Sequence, residues 1–309
     1  IQQNAVRSAS LMLSNKLDTL TANTVANEGT LVVTNAAAID TYDDAAEPDA
    51  LMLEQQVTAG DRIMLLNPRM AKNLAGNLAS RSTMTGAPMD AYTRSMLPAI
   101  GGFDTFRTDY GKSIAGSAGA GYLVDGANQY TTPVAKDANG VPVDNSTQTL
   151  TVDTGANAAV GDSFTIALTY AVGHVNKQST GQLKTFRIMD INGADWTIAP
   201  AIIPADGAAQ AQADYANVNT TPADNAAITI LNTVTKPASV FFEKGAVEII
   251  HGDFNTDAFE NTGKKVRKST TDSGIQIVLM CDSNIDTLVA KYRMFIWANI
   301  KVLNNEAAG

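Results

Sequence analysis

The segment Leu183–Ile191, with the sequence LKTFRIMDI, has the alternating pattern of a β-strand. In it Phe186 and Ile188 alternate with Arg187, and a period of two is the signature of a half-buried β-strand. Similar short β-like runs lie nearby, separated by Gly and Asn turns, at Thr147–Val152, Ser163–Leu168 and Trp196–Ile198. Several short strands at this spacing predict a small barrel or sandwich.

This β-rich character is confined to the middle of the chain. The 106 residues from Gly126 to Leu231 contain four Lys or Arg residues against nine Asp residues, a net charge of −5. On both sides the sequence mixes helix and strand patterns. A β module inserted into an α+β host explains this order better than two domains in series, and insertions are tolerated where the ends of the module lie close together.

The flanking sequence predicts both helices and strands. Ile1–Ala26 has apolar residues at helical spacing and should end near Gly29, and Asn67-Pro68 is a helix-start signal that leads into Arg69–Ala79. The other predicted elements are helices at Leu51–Val57 and Met89–Met96 and strands at Thr30–Thr34, Arg62–Leu66, Phe103–Thr108, Val240–Phe242, Val247–Ile250, Ile275–Cys281 and, as one long strand, Tyr292–Val302. Core packing is predicted for Trp196 and Trp297, and a buried thiol for Cys281.

The charge of the chain argues against dedicated nucleic-acid binding. The net charge is −9 and the pI about 4.7, whereas proteins that hold nucleic acid by their own electrostatics usually have a basic face. The dense basic cluster Lys264, Lys265, Arg267 and Lys268 is predicted to be an exposed loop, and a contact with an acidic face of a neighbouring subunit is the sharper hypothesis. No apolar stretch approaches the roughly 20 residues that a membrane helix requires.

No group of residues in the sequence predicts catalysis. His174 and His251 have no second His, Cys or carboxylate at metal-ligand spacing, and phosphate-loop, dinucleotide-binding and nucleophile-elbow motifs are missing. The acidic run Asp40–Asp49 is predicted to be a solvated loop; calcium binding is the alternative, although the run lacks the spacing of a dedicated calcium loop. We therefore predict no catalytic residues, no metal site and no cofactor, in a protein that is not an enzyme.

Four segments, in order along the chain, resemble the P22-like podoviral coat proteins. Asn15–Tyr42 resembles their backbone helix and the strand after it, and Pro98–Ser117 resembles the strand that leads towards an insertion. Ala211–Phe242 is similar to the segment that leaves this insertion, and Ile275–Gly309 to the closing strands. The collinear agreement extends over nearly the whole chain and implies a major capsid protein of a tailed double-stranded DNA phage.

The resemblance implies the Hong Kong ninety-seven fold of tailed-phage capsids, an α+β fold that here carries an inserted small antiparallel β-barrel domain. By position, it implies the end of the long peripheral-domain helix at residues 1–29, the axial domain at 30–125 and 232–284, the barrel at 126–231, and a return to the peripheral domain at 285–309. Family members begin with an N-terminal arm and an extended hairpin before the long helix, and we expect both to be absent from this chain.

The resemblance also implies a loop between capsomers. The polar hairpin Lys136–Asn145, KDANGVPVDN, has the turn-forming pair Asn139-Gly140 at its tip. It matches the family's loop that reaches between neighbouring capsomers. The implied site residues are Lys136, Asp137, Asn139, Gly140, Asp144 and Asn145, with Asp137 and Asp144 pairing with basic groups on the next capsomer.

The implied function is self-assembly into pentamers and hexamers of an icosahedral shell that encloses double-stranded DNA. Expected partners are other copies of the chain, a scaffolding protein, a portal protein and packaged DNA bound non-specifically, with no membrane. The protein would reside in the virion after assembly in the bacterial host cytoplasm. The alternative is an extracellular β-rich adhesin or surface-layer binding module with calcium in the acidic run, a hypothesis that the Gly-, Asn- and Thr-rich acidic β character supports.

Overall fold

The structure is a computed structural model that describes residues 2–35, 39–57, 60–80, 86–94, 97, 99–108, 113–153, 157–257, 265–270, 275–284 and 289–309. It confirms the mixed α+β class, with helices and several separate sheets. The helices are α1 (Gln2–Glu28), α2 (Tyr42–Glu54), α3 (Pro68–Ala79), α4 (Ala87–Arg94) and α5 (Gln210–Tyr215), with short 3-10 turns at Lys244–Ala246 and Asn305–Ala307.

Most of the predicted strands are present, together with others that were not predicted. The strands are β1 (Arg62–Leu66), β2 (Asp104–Arg107), β3 (Ser113–Ile114), β4 (Gln148–Thr151), β5 (Ser163–Val172), β6 (Ser179–Asn192), β7 (Asp195–Ala199), β8 (Ile228–Ile230), β9 (Lys236–Pro237), β10 (Val240–Glu243), β11 (Val247–His251), β12 (Lys265–Thr270), β13 (Gln276–Asn284), β14 (Val289–Ile296) and β15 (Ala298–Val302). Of these, β3, β8, β9 and β12 are the strands that were not predicted.

The chain forms two compact units. The smaller contains Ile1–Thr21 and Glu248–Lys301, and the larger contains Ala22–Val247 and Val302–Gly309. The long helix α1 therefore contributes to both. Among the described residues, no helix is both long enough and apolar enough to cross a membrane.

A five-stranded antiparallel sheet with the order β4-β7-β6-β5-β8 lies in the larger unit. Its core is aromatic: Trp196 packs edge-on against Tyr122 and Phe164, with ring centroids 4.7 and 5.7 Å apart, and Phe164 stacks on Phe186. Each of these four rings is at most 6% exposed. The alternation at Phe186 and Ile188 thus places apolar side chains in a closed core, as predicted.

A second core in the larger unit lies around the sheet β10-β1-β2 and helices α2 and α3. Strand β1 pairs antiparallel with β10 and parallel with β2. Helix α3 begins as predicted, since Asn67 Oδ1 accepts a hydrogen bond from the Arg69 N–H at 3.1 Å and Pro68 occupies the first turn.

The smaller unit contains the antiparallel sheet β12-β13-β14, in which β12 is an edge strand. Val278 is the one fully buried side chain among the described residues of these three strands. Phe254 packs edge-on against Phe295 with ring centroids 4.9 Å apart, and Lys268 pairs with Asp253 at 2.8 Å. Of the other apolar side chains of the sheet, Ile277, Leu279, Met294 and Phe295 are half-buried, whereas Tyr292 is 57% exposed.

Two predictions in the first quarter of the chain were wrong. Thr30–Thr34 is not paired as a strand. Most of the acidic run Asp40–Asp49 lies in α2, not in a loop, because Thr41 and Asp44 form a capping box: the Thr41 hydroxyl accepts from the Asp44 N–H, and the Asp44 carboxylate accepts from the Thr41 N–H.

Four predictions in the last quarter were also wrong. The predicted long strand Tyr292–Val302 is divided into β14 and β15 at Trp297, whose side chain is 60% exposed and not in a core. The basic cluster is strand β12 from Lys265 onward, not a loop; Lys264 lies outside the described residues. Cys281 is half-buried, although β13 is the central strand of its sheet.

Candidate functional site: an exposed loop and the root of the β module

The loop Lys136–Asn145 is exposed and closes as a hairpin. Lys136 and Pro142 form an isolated antiparallel bridge, and Gly140 has a φ of +80° at the tip. Glycine adopts this conformation without the clash that a Cβ would cause. The Asn139-Gly140 pair therefore lies where the sequence placed the tip of the hairpin.

Asp137 organises this turn from within. Its Oδ1 accepts hydrogen bonds from the backbone N–H groups of Asn139 at 2.8 Å and Val141 at 2.9 Å. Its carbonyl oxygen accepts from the Gly140 N–H at 3.0 Å. The Asp137 carboxylate thus fixes the loop within the subunit, and its pairing with a neighbouring capsomer stays a prediction.

Asn145 closes the base of the loop. Its Oδ1 accepts from the Val134 N–H at 3.1 Å, and its Nδ2 donates to the Val134 carbonyl at 2.9 Å. Asp144 Oδ1 accepts from the Ser146 N–H at 2.9 Å. Val141 is 56% exposed, so the ordered loop presents apolar as well as charged groups to solvent.

A buried carboxylate links the two chain segments that connect the β module, the five-stranded sheet between Ser117 and Asn232, to the rest of the larger unit, which is called the body below. Asp162 is 4% exposed. Its Oδ2 accepts from the hydroxyl of Ser117, on the incoming chain, and its Oδ1 accepts from Nδ2 of Asn232, on the outgoing chain, at 2.8 Å. The Ser117 N–H also donates directly to the Asn232 carbonyl at 2.7 Å. The module therefore enters and leaves the body at one place.

A buried lysine joins the module to two other parts of the body. Lys184 of β6 is fully buried; its Nζ lies 2.5 Å from Glu306 Oε1 in the last 3-10 turn and donates to Gln55 Oε1, after α2, at 3.0 Å. Asn217 Nδ2 donates to the same Glu306 oxygen at 3.3 Å, and His174 Nε2 lies 3.9 Å from the other. Three distant stretches of sequence therefore meet at one charged cluster.

The electrostatics of this cluster favour an ionised carboxylate. Burial acts to raise the pKa of Glu306, but the charges of Lys184 and His174 and hydrogen bonds from Lys184 and Asn217 outweigh it and hold the pKa below its ordinary value. Burial lowers the pKa of His174; Glu306 opposes this shift, while Lys184 and Lys177 add to it. At neutral pH Glu306 is therefore charged and His174 neutral.

Two further hydrogen bonds connect β6 to the chain that follows α1. The Arg187 Nε donates to the Gly29 carbonyl at 2.6 Å, and the Thr185 hydroxyl donates to the Thr30 carbonyl at 2.6 Å. Burial lowers the pKa of Arg187 to about 10, partly offset by Asp162, so the guanidinium stays charged at neutral pH. A side chain at position 29 would lie 2.8 Å from the Ala308 backbone, so glycine is required for this close approach.

The residues that join the base of the β module to the body, here called its root, have almost no signal in the sequence. The alternation around Arg187 indicates a strand with one polar face, yet Arg187 is 3% exposed because this face of β6 is covered by the body. Lys184 and Glu306 are 122 positions apart and belong to no motif. Asn232 is the exception, because an Asn between two strands, here β8 and β9, is a local signal for a turn.

The described part of the chain contains no group of three or more His, Cys, Asp and Glu side chains that could hold a metal ion. The acidic run that carried the calcium hypothesis has its carboxylates distributed along α2, with Asp44 engaged in the helix cap. What the geometry provides is an ordered exposed loop on a β module that is fixed to its body by buried polar groups.

Comparisons with protein families and with solved structures found proteins similar to this chain. A family model described as "P22 coat protein - gene protein 5" matches residues 1–309. Among solved structures, the CUS-3 coat protein I-domain is similar at 43% sequence identity, over 36% of this chain and 95% of that chain, with a TM-score of 0.32.

Proposed function

The chain belongs to the P22 coat protein family, and on this basis we propose that it assembles as pentamers and hexamers of an icosahedral shell. The protein is a phage major capsid protein, because the family model covers its whole length. The same match gives no support to the adhesin or surface-layer alternative. Its role is structural and its place is the capsid of the virion; we propose that it has no enzymatic activity.

For the fold we propose the Hong Kong ninety-seven type with an inserted β-barrel. The five-stranded antiparallel sheet with its closed aromatic core supports the barrel at 126–231, because its strands all lie within those limits. The adjacent chain crossings at Ser117 and Asn232 support an insertion. The assignment of 1–29 and 285–309 to a peripheral domain, and of 30–125 and 232–284 to an axial domain, is part of the same proposal.

The loop Lys136–Asn145 is proposed as a contact between capsomers. Its exposure and its internal order support this role, because a preorganised loop loses little conformational entropy on binding. Lys136 and Asp144 offer charges of both signs at its base. Each exposed ion pair contributes about 0–1 kcal/mol, and a closed shell repeats the contact many times.

The proposed partners are further copies of the chain, a scaffolding protein during assembly, a portal at one vertex and packaged double-stranded DNA without sequence preference. Assembly is proposed to occur in the bacterial host cytoplasm. The net charge of −9 is consistent with DNA that is enclosed by the shell but not bound tightly to it.

The test is negative-stain electron microscopy of the full-length protein, purified alone and after co-expression with a scaffolding protein. We expect icosahedral shells or ring-shaped capsomers in at least one preparation. The proposal would be overturned if both preparations contained only monodisperse monomers, including in solutions more concentrated than those applied to the grids.

A further inference from the structure

A stretch of the larger unit has no strand partner and borders an acidic groove. Val32, Val33 and Thr34 follow α1, belong to no helix or strand and make no backbone hydrogen bond within the described part of the chain. Their unpaired N–H and C=O groups can accept an added strand. The groove beside it, about 420 Å³ in volume, separates it from α2 and from Leu183 of β6.

The groove combines an apolar floor with an acidic wall. Val32, Val33 and Leu51 contribute apolar surface, and α2 contributes Asp43, Asp44, Glu47 and Glu54. No Lys or Arg is found among the described residues that line it. Asp43, Glu47 and Glu54 are exposed and have no ion-pair partner in the described structure, so this wall carries uncompensated negative charge.

The chain also contains a strand with the complementary properties. β12 is an edge strand whose second side has no partner among the described strands. Lys265 and Arg267 lie on one face of it and are exposed, and Val266 between them is half-buried. The strand therefore offers an open ladder edge, alternating basic side chains and a small apolar side chain.

The spacing of the charges also matches. Two residues along a strand advance the chain by about 6.6 Å, which is the separation expected between Lys265 and Arg267. Four residues along a helix advance it by about 6 Å, which separates Asp43 from Glu47. A strand lying along the groove, parallel or antiparallel to α2, can therefore place both cations opposite both carboxylates.

We propose that the basic edge strand β12 of one copy docks in the acidic groove of a second copy, as an added strand beside Val32–Thr34. The contact is heterologous, because the groove and the strand are different surfaces, and repetition of such a contact forms a ring when the rotation between copies closes. The opposite charges of the groove and of β12 determine which surfaces pair and in which register. The backbone N–H and C=O groups of β12 and of Val32–Thr34 form the hydrogen bonds between the two copies. This inference rests on the proposed self-assembly.

The test uses charge reversal in the full-length protein, in two variants that are measured separately and mixed. The groove variant is Glu47→Lys with Glu54→Lys; Asp43 is left unchanged because an acid in the first turn also stabilises the helix start. The strand variant is Lys265→Glu with Arg267→Glu. The matched control reverses two exposed charges that lie in neither surface, Lys72→Glu and Asp104→Lys.

Self-association is measured by sedimentation velocity over a range of concentrations, with circular dichroism to verify folding. We expect each reversal variant to associate about tenfold more weakly or worse than the unchanged protein, because like charges then oppose each other. The control should associate as the unchanged protein does. An equimolar mixture of the two variants should recover association, because the lysines introduced in the groove of one then meet the acidic strand of the other.

Hydrogen exchange gives a second measurement that does not depend on substitutions. In associated protein, the amides of Val32–Thr34 should exchange at least about tenfold more slowly than in dissociated protein. Failure of the mixture to recover association, or unchanged exchange at these amides, would overturn the inference. If the unchanged protein does not associate at all, the proposed self-assembly fails together with this inference. If it associates but the variants or the exchange rates do not behave as expected, only this inference fails.

Discussion

The five-stranded sheet of the β module and the three-stranded sheet of the smaller unit differ in how completely they are closed. In the module, the aromatic core is buried and the outer face of β6 is covered through Arg187 and Thr185. In the sheet β12-β13-β14 of the smaller unit, Val278 is the one fully buried side chain among the described residues, and β12 has an open edge. The first sheet is completed within one chain, whereas the second has surface left for a partner.

Removing an aromatic side chain from each sheet region is the strongest test of this difference. We expect Trp196→Ala to lower the free energy of unfolding by about 3–5 kcal/mol, because it leaves a cavity between Tyr122 and Phe164. Trp297→Ala should lower it by less than about 1 kcal/mol, because that side chain is 60% exposed. Urea unfolding followed by circular dichroism measures both; equal losses would contradict the contrast.

Removing one lysine from each region tests the same difference for charges. Lys184→Met leaves Glu306 without its main partner in a site where its side chain is 19% exposed, and we expect a loss of about 2 kcal/mol, below the range of about 3–5 for a fully buried pair. Lys268→Met, which removes the exposed pair with Asp253, should have no measurable effect.

The double variant Lys184→Met with Glu306→Met serves as the control for this prediction. It removes the unpaired carboxylate and should recover most of the loss. If the double variant is as unstable as the single one, packing and not charge determines the cost at Lys184.

The smallest expected effect is the response to acid. The pKa of Glu306 in the folded protein is below its ordinary value near 4.5, so the unfolded chain binds more protons in the window below that value. The stabilisation is complete above pH 4.5 and is lost as the pH falls through the lowered pKa. Unfolding free energies measured between pH 6 and 3 should therefore fall less steeply for Glu306→Gln than for the unchanged protein; identical slopes would contradict the assignment.

The sequence was sufficient where a local pattern determines the local structure. Arg62–Leu66 is a strand with both limits as predicted, and the Asn67-Pro68 signal starts α3. The capping box at Thr41 and Asp44 was an available local signal for a helix that the interpretation of the acidic run as a loop did not use. Local patterns of this kind predict an element without any knowledge of what it contacts.

The sequence was insufficient where the outcome depends on distant parts of the chain. Thr30–Thr34 has the composition of a strand, yet pairing needs a neighbour, and Leu31 and Thr30 instead bond to the chain near its last residues. Arg187 follows the pattern of an exposed residue and is buried by contacts with Gly29. The pairing of Lys184 with Glu306 has no local signal, because the two residues meet only through the tertiary structure.

The adjacency of Ser117 and Asn232 also bears on how such a chain can change over time. Under the proposed insertion, the segment between them can be gained, lost or exchanged as a unit, because the two ends of the segment are adjacent. A replacement must then match the contacts at its base, among them those of Asp162, Lys184 and Arg187. The body and the module can therefore diverge at different rates, and a foreign domain with closely spaced ends is a natural candidate for display at this position.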